Sequence, residues 1–293
     1  MQFGIQTLFG GAVASRPDYV SAAGKALEER GFSHLWAAEH VVNFQRYASH
    51  YPYSDDGVPP FRADTGILEP FTVLSFLAAH TRKIQLGSGI TILPQRNPVY
   101  LAKQAADVDV LSGGRLVLGV GVGWAAEEYE ALGVPFAHRG ARARDYLQVI
   151  RSLWCDEVSS FDGEFYRLPP CVQGPKPVRK PHPPIFIGGE SNAALRRVAE
   201  FGQGWMGYRL TPESLPERLA KLSAMLAEYG RSLDDIEIAV SPYDAQCDLD
   251  TIKRFADLGV RQVILVGFAD SLDGLLRLLD GMAETLVVPG AKL

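Results

Sequence analysis

The pair Glu39-His40 places an acidic residue beside a histidine at the end of a short apolar segment. Near neutral pH a histidine side chain gives or takes a proton, or donates a hydrogen bond, so the pair could carry acid–base chemistry. The alternative interpretation is a packed histidine that caps a loop. The residue types alone favour neither interpretation over the other.

The run Gly188-Gly189-Glu190-Ser191 stands directly before a segment with helical spacing. Two glycines let backbone N–H groups approach a ligand closely, and the N-terminus of a helix favours an anion. One interpretation is therefore a cradle for a phosphate group. A tight turn between a strand and a helix would show the same residues, so both interpretations stay open.

Further glycines interrupt two apolar segments, at Gly87 and Gly89 and again within positions 119–123. A glycine inside a strand indicates a β-bulge, a barrel corner or close approach by a ligand. The second run reads G-x-G-x-G and lacks the G-x-G-x-x-G spacing, so it argues little for a dinucleotide-binding turn. Trp124 follows this run, where it would either wall a planar ligand or pack beneath a loop.

The sequence contains no Cys/His cluster, Walker motif, G-x-S-x-G elbow or H-E-x-x-H motif, so no metal site is predicted. A redox reaction would therefore need an organic cofactor bound by the chain. The three cysteines are far apart and odd in number. They predict no disulfide framework, and they favour a reduced, cytoplasmic compartment.

Composition excludes several other classes of function. The 293 residues are 47% hydrophobic and carry a net charge of -5 with no basic run, so no nucleic-acid partner is expected. No apolar run approaches the roughly 20 residues that span a bilayer. With no basic run to suggest an anionic membrane surface either, we expect no membrane partner. No secretory signal is evident at the start of the sequence.

The elements that must position these residues are clearest between Lys83 and Glu127. The β-branched apolar run 84–91 predicts a buried strand. Asn97-Pro98 begins a helix, because asparagine caps a helix N-terminus and proline suits its first position. Gly113 ends that helix as a left-handed residue, and a second strand follows at 115–121. Such a strand–helix–strand unit implies two parallel strands.

The same alternation runs through the whole chain. We predict strands at 3–7, 33–38, 84–91, 115–121, 184–188, 204–207, 236–241 and 262–266. Eight such units predict an α/β fold, a closed (β/α)8 TIM barrel, as one domain over residues 1–293. Segments 41–67 and 155–183 are interpreted as insertions after strand 2 and before strand 5, the first as a lid, a binding loop or a mobile segment. Active sites of such barrels lie at the C-terminal ends of the strands, which discounts His34.

Three segments carry a resemblance to a known family: WAAEH at 36–40, LGSGITILPQRNPVYLAKQAADVDVLSGGRLVLGVGVGW at 86–124, and FIGGES at 186–191. With them the chain resembles the luciferase-like monooxygenase superfamily. The segment EYEALGVPFAHRGARARD at 128–145 resembles its deazaflavin (F420)-dependent oxidoreductase branch. The resemblance implies a (β/α)8 barrel that binds F420, or alternatively FMN, at its C-terminal mouth.

The resemblance also implies roles for individual residues. A non-proline cis peptide bond is expected between Gly89 and Ile90, near the cofactor ring, and the Gly-Gly-Glu-Ser turn would hold the cofactor phosphate. Glu39 and His40 would lie near the reactive centre, with Glu39 orienting His40. The implied cofactor-binding residues are Gly89, Ile90, Val122, Gly123, Trp124, Gly188, Gly189, Glu190 and Ser191.

The activity implied is an oxidoreductase that transfers a hydride between C5 of F420 and a small organic substrate. His40 would bind the reacting centre by a hydrogen bond or move a proton. The sugar-phosphate dehydrogenases of the branch have Asp at the position of Glu39 and Glu at that of Trp124. A sugar phosphate is therefore not the expected substrate. A homodimer is expected from the resemblance alone.

Three alternatives remain open from the sequence. The first is an FMN-dependent monooxygenase on the same fold, with electrons supplied by a partner reductase. The second is a non-catalytic barrel that binds flavin or F420 without turnover, against which the Glu39-His40 pair argues weakly. The third is a sugar-phosphate isomerase barrel in which Gly188-Gly189 cradles the substrate phosphate; the glycines at 87–89 give it no support.

Overall fold

The structure is a computed structural model, and it describes residues 1–7, 9–61, 63–243 and 247–293. Its main sheet is parallel and runs in the order β3-β2-β1-β11-β10-β9-β8-β5-β4. Because β3 also pairs with β5, the sheet closes into an 8-strand barrel in which β4 prolongs β3. These strands are β1 (Gln2–Thr7), β2 (His34–Ala37), β3 (Gln85–Ser88), β4 (Thr91–Ile92), β5 (Leu116–Gly121), β8 (Ile185–Gly188), β9 (Gly204–Tyr208), β10 (Glu237–Ser241) and β11 (Gln262–Val266).

Helices cover the outside of the barrel, so the predicted fold class is confirmed. They are α1 (Gly11–Ala14), α2 (Pro17–Glu29), α3 (Pro70–His80), α4 (Pro98–Ser112), α5 (Ala126–Ala131), α6 (Arg139–Cys155), α7 (Asn192–Phe201), α8 (Leu215–Ala227), α9 (Leu249–Asp257), α10 (Leu272–Met282) and α11 (Val288–Gly290). Short 3-10 turns occupy Leu93–Gln95 and Leu233–Asp235, and a π turn occupies Ala283–Val287. Within the described ranges, no helix combines the length and the apolar character needed to cross a membrane.

Local sequence signals set the ends of α4 as predicted. The Asn97 side chain accepts hydrogen bonds from the backbone N–H groups of Val99 and Tyr100 at 3.0 and 3.2 Å. Pro98, which has no N–H to satisfy, is the first helical residue. Gly113 ends the helix with φ of 71°, a conformation that costs a glycine little.

Both predicted insertions are present. A segment of irregular backbone joins β2 to α3, and an antiparallel hairpin precedes β8. The hairpin consists of β6 (Ser159–Asp162) and β7 (Arg167–Cys171). The strand predicted at 84–91 is divided into β3 and β4, and the chain is irregular between Gly89 and Ile90.

The core has an inner and an outer part because successive side chains of a strand point to opposite faces. The outer part packs between the sheet and the helices. The inner part fills the barrel with Trp36, Val117, Phe186, Met206, Ala239 and Ile264. Glycine makes room for the largest of these, since a Cβ on Gly87 would lie 2.3 Å from the Trp36 ring. The barrel is therefore a filled core and not a pore.

A polar cluster closes the N-terminal end of the barrel. The indole N–H of Trp36 donates to the Gln262 side-chain oxygen at 2.8 Å, and the Gln262 amide nitrogen lies 2.8 Å from Nδ1 of His34. The same nitrogen also contacts Glu237 at 3.3 Å. Burial, with a smaller contribution from the charge of Arg179, lowers the pKa of His34 to about 4. His34 is thus a neutral structural residue at the end of the barrel away from the catalytic mouth.

This cluster makes stability depend on pH. Between its ordinary pKa of 6.5 and about 4, His34 binds a proton in the unfolded chain but not in the folded one. The free energy of unfolding should therefore fall as the pH falls, by about 2 kcal/mol between pH 7 and pH 5 from this residue. Urea unfolding of wild type and His34→Gln at pH 7 and pH 5 measures this change in the free energy of unfolding. The variant should lose that part of the pH dependence, and an identical dependence in both proteins would contradict the assignment.

Candidate active site

Three residues form a flat apolar floor at the C-terminal mouth of the barrel. Gly121 and Gly188 end the adjacent strands β5 and β8, and their side-chain positions face the mouth. A Cβ on Gly121 would lie 2.0 Å from Cδ1 of Ile90, and one on Gly188 would lie 3.1 Å from the same atom. The Ile90 side chain therefore occupies the space that the glycines leave, and it packs on the inner core.

The chain on either side of Ile90 is held by neighbouring strands. The peptide bond between Gly89 and Ile90 is cis, which confirms the expectation drawn from the resemblance. The Gly89 N–H donates to the carbonyl of Ala37 at 2.7 Å. The Gly89 carbonyl accepts from the side chain of Gln6 at 3.1 Å. Backbone and side-chain contacts from β1 and β2 thus fix the bulge that presents Ile90.

Glu39 belongs to a buried ionic network and does not contact His40. Its carboxylate accepts from the Ile92 N–H and from Nε of Arg96, both at 2.7 Å. Arg96 also pairs with Glu69 at 2.6 Å. Burial raises the pKa of Glu39, while Arg96 and the Ile92 N–H favour its charged form. The expectation that Glu39 orients His40 is wrong, because the Glu39 carboxylate is bound by Arg96 and the Ile92 N–H while Nδ1 of His40 binds a different carboxylate.

The partner of His40 is Glu128, on the first turn of α5. Nδ1 of His40 lies 2.7 Å from the carboxylate of Glu128, which is almost wholly buried. The second carboxylate oxygen accepts from the Gln95 side chain at 3.1 Å. An ionised carboxylate can only accept, so Nδ1 of His40 carries a hydrogen, and in the neutral imidazole Nε2 is then the acceptor. The geometry gives a histidine held in the tautomer that a general base requires.

The segment between β2 and α3, residues 41–67, crosses the mouth as an aromatic loop. Its Tyr47 and Tyr51 rings pack on Trp124 with centroids 5.0 and 5.1 Å apart. Its Phe61 ring lies 4.9 Å from the ring of His40. Trp124 therefore contacts this loop, and its ring is also 6.3 Å from that of His40. The walls above the floor are aromatic on this side.

The loop is attached at both sides of the mouth. On the α5 side, the Glu127 carboxylate accepts from the Ser49 N–H at 2.9 Å, and the Ser49 hydroxyl accepts from the Ala126 N–H at 2.9 Å. On the opposite side, the Tyr53 and Tyr208 rings lie 4.7 Å apart, at the end of β9. The loop thus spans the mouth from the end of β5 to the end of β9.

The Gly188-Gly189-Glu190-Ser191 turn leads into α7. Gly189 has φ of 109°, which only glycine adopts readily. The Ser191 side chain accepts from the Ala194 N–H at 3.2 Å and so caps the helix. The Glu190 carboxylate accepts from the Tyr208 N–H at 2.7 Å, and burial raises the pKa of Glu190 to about 7. The Gly189 N–H donates to the carbonyl of Met206 at 3.3 Å, so β9 holds both this N–H and the acidic side chain of the turn.

Two arginines, one at the start of α6 and one on α7, were not singled out from the sequence. Arg139 donates from Nε to the carbonyl of Gly123 at 3.3 Å, just after β5. Arg197, on α7, is buried, and burial and the charge of Arg139 together lower its pKa. Among the described residues, no carboxylate lies within ion-pair distance of either side chain. Two adjacent cations beside a helix N-terminus favour an anionic ligand.

Residues 1–243 match the model of the luciferase-like monooxygenase family. The chain belongs to this family. An uncharacterised protein of Mycobacterium tuberculosis is 35% identical over 244 residues, which cover 83% of each chain. Pyrimidine monooxygenase RutA of Allorhizobium ampelinum is 35% identical over 173 residues, which are 56% of this chain and 46% of that protein.

Solved structures of low sequence identity share the luciferase-like fold. Monooxygenase RslO1 from Streptomyces bottropensis superposes with a TM-score of 0.78 at 20% identity, over 99% of this chain and 100% of that one. The F420-dependent tetrahydromethanopterin reductase of Methanopyrus kandleri gives 0.76 at 18% identity, over 98% of both chains. This chain thus belongs to a family of flavin- or F420-dependent oxidoreductases and monooxygenases.

The structure brings most of the predicted site residues to one rim. Gly89, Ile90 and the Gly188 turn meet at the floor, and Val122 and Gly123 follow β5 beside them. His40 and Trp124 form the adjacent wall. Glu39 lies apart, in the network with Arg96. The residues that sequence reasoning missed are Glu128, Gln95, Arg139 and Arg197, whose partners are all distant along the chain.

Replacing Glu39 tests its structural role. Glu39→Ala should lower the free energy of unfolding by about 3 kcal/mol, because it leaves a buried arginine short of one carboxylate and the Ile92 N–H without its acceptor. Urea unfolding measures the change. Glu29→Ala is the matched control, since the Glu29 side chain is 74% exposed. Equal stability of the two variants would show that the network contributes little.

Proposed function

We propose that this protein transfers a hydride between the deazaflavin cofactor F420 and a small organic substrate. The observation that carries the proposal is the His40–Glu128 pair at the edge of the Ile90 floor. It provides a general base beside a surface that suits a flat ring. The resemblance of residues 128–145 to the F420-dependent branch supports the choice of cofactor.

The residues present fit such a cofactor. The ring would lie on Ile90, where Gly121 and Gly188 leave no side chain in the way. The Ser241 hydroxyl, at the mouth end of β10, is buried with no partner among the described residues, as expected of a group that binds a ligand. The phosphate would be held by the Gly189 turn and by the arginines at 139 and 197. When bound, F420 supplies a centre that accepts or donates a hydride.

The chain itself would manage the proton. Glu128 holds Nδ1–H of His40, so Nε2 can take the proton of a substrate hydroxyl as its carbon loses a hydride, or return it in the opposite direction. The Glu128 carboxylate stabilises the imidazolium that forms. The aromatic loop over the mouth reduces the access of water, which strengthens these interactions.

FMN-dependent monooxygenation is the second candidate, and the names of two relatives favour it. The first is RutA, and the second is the FMNH2-dependent dimethylsulfone monooxygenase of Pseudomonas putida, 30% identical over 168 residues. In that case a reductase partner would deliver reduced flavin to this chain. The His40–Glu128 pair and the Ile90 floor would serve either ring.

Titration distinguishes the two cofactors. We expect purified protein to bind F420 with a lower Kd than FMN, as measured by fluorescence. Arg197→Ala should weaken binding about tenfold, because a charge-assisted contact to the phosphate is lost. Arg196→Ala is the control on the same helix, since Arg196 is exposed and pairs with Glu228. Tighter binding of FMN would favour the monooxygenase, and binding of neither would contradict both proposals.

His40→Ala tests the catalytic assignment. Turnover should fall at least a hundredfold because the proton acceptor is gone, while the Kd of the cofactor should change little. Glu128→Ala should also reduce turnover, since His40 then loses its orienting partner. Glu130→Ala, an exposed position on the same helix, is the control. Steady-state kinetics and cofactor titration of each variant give both readouts. Unchanged turnover in His40→Ala would remove His40 from the mechanism.

A further inference from the structure

A cavity of about 640 Å³ lies within the loop that crosses the mouth. This volume is typical of a pocket for a small organic ligand. Apolar and aromatic side chains make up much of its wall: Phe44, Tyr47, Val58, Pro59, Phe61 and Ala63. Among the described residues that line it, the charged ones are Arg46 and Asp64, and both are exposed at its edge.

The cavity shares its wall with the catalytic residues. Phe61 lines the cavity and packs on the ring of His40, with centroids 4.9 Å apart. Tyr47 lines it as well and packs on Trp124 at 5.0 Å. The Phe61 and Tyr47 rings also contact each other edge to face at 6.3 Å. Phe61 and Tyr47 therefore form a wall that the cavity shares with His40 and Trp124 at the mouth.

We propose that this cavity is the substrate compartment and that it takes neutral organic molecules with one or two aromatic rings. Flat apolar surfaces suit the rings of Phe44, Tyr47 and Phe61 in this wall, which add stacking and edge-to-face contacts to the burial of apolar area. A phosphorylated or otherwise strongly anionic substrate would need several cationic groups inside the cavity. The described lining offers Arg46 at its exposed edge. The statement that a molecule in the cavity is turned over rests on the proposed function. The statement that such a molecule binds in the cavity is independent of it.

Calorimetric titration of cofactor-loaded protein with 2-naphthol, and separately with glucose 6-phosphate, tests the substrate class. We expect 2-naphthol to bind at least tenfold more tightly. Equal or tighter binding of glucose 6-phosphate, or no binding of 2-naphthol, would overturn the proposal. Cofactor-loaded protein is used so that the sugar phosphate cannot occupy the anion-binding site proposed near Arg197.

Two variants place the ligand in the cavity. Ala63→Phe should weaken 2-naphthol binding at least tenfold by filling the space, and Phe61→Ala should weaken it about tenfold by removing a ring of the wall. Phe268→Ala, at an exposed ring after β11, is the matched control and should bind as wild type does. Unchanged affinity in both cavity variants would show that 2-naphthol binds elsewhere. The comparison of ligands on wild type holds even if a variant folds poorly.

Titrating the protein without cofactor separates this inference from the proposed function. If 2-naphthol binds and responds to the cavity variants but neither F420 nor FMN binds, the compartment stands and the proposed activity fails. If a cofactor binds and 2-naphthol does not, the proposed activity survives and the inference about the substrate fails.

Discussion

At the barrel mouth, the Ile90 side chain fills the space that a side chain at Gly121 or Gly188 would need. Any larger residue at Gly121 would overlap Ile90, and one at Gly188 would press against it, so the floor depends most strongly on Gly121. The bulge at Gly89 must also be held in place for Ile90 to reach them. The contacts from Gln6 and Ala37 do this on one side, and the Glu39–Arg96 pair fixes the backbone at Ile92 on the other. The site rests on this arrangement.

Glu39 and His40 show how neighbouring residues serve separate purposes. The Glu39 carboxylate is buried with Arg96 and stabilises the backbone beneath the site. His40 faces the mouth and takes its carboxylate partner from a different βα loop. The acid needed for structure and the acid needed to orient the histidine are therefore supplied separately. This division keeps the orienting carboxylate free of a competing arginine.

The fold could be predicted from the sequence because its signals are local. Runs of β-branched residues, the Asn97-Pro98 start and the Gly113 end each act within a few residues, and repeated units then lead to a barrel. The site could be predicted only where it lies on strand ends. The contact of Glu128 with His40 joins positions 88 residues apart, and Glu128 stands among other acids that look like a solvent-exposed face. Arg139 and Arg197 are likewise brought together by packing, which no run of charge reveals.

Adjacent residues of α5 bind two different parts of the molecule. Glu127 holds the loop through Ser49, and Glu128 holds His40. Opening the loop must break the first contact and disturb the turn that provides the second. The contact that holds the loop over the mouth and the contact that orients the histidine therefore both depend on the first turn of one short helix.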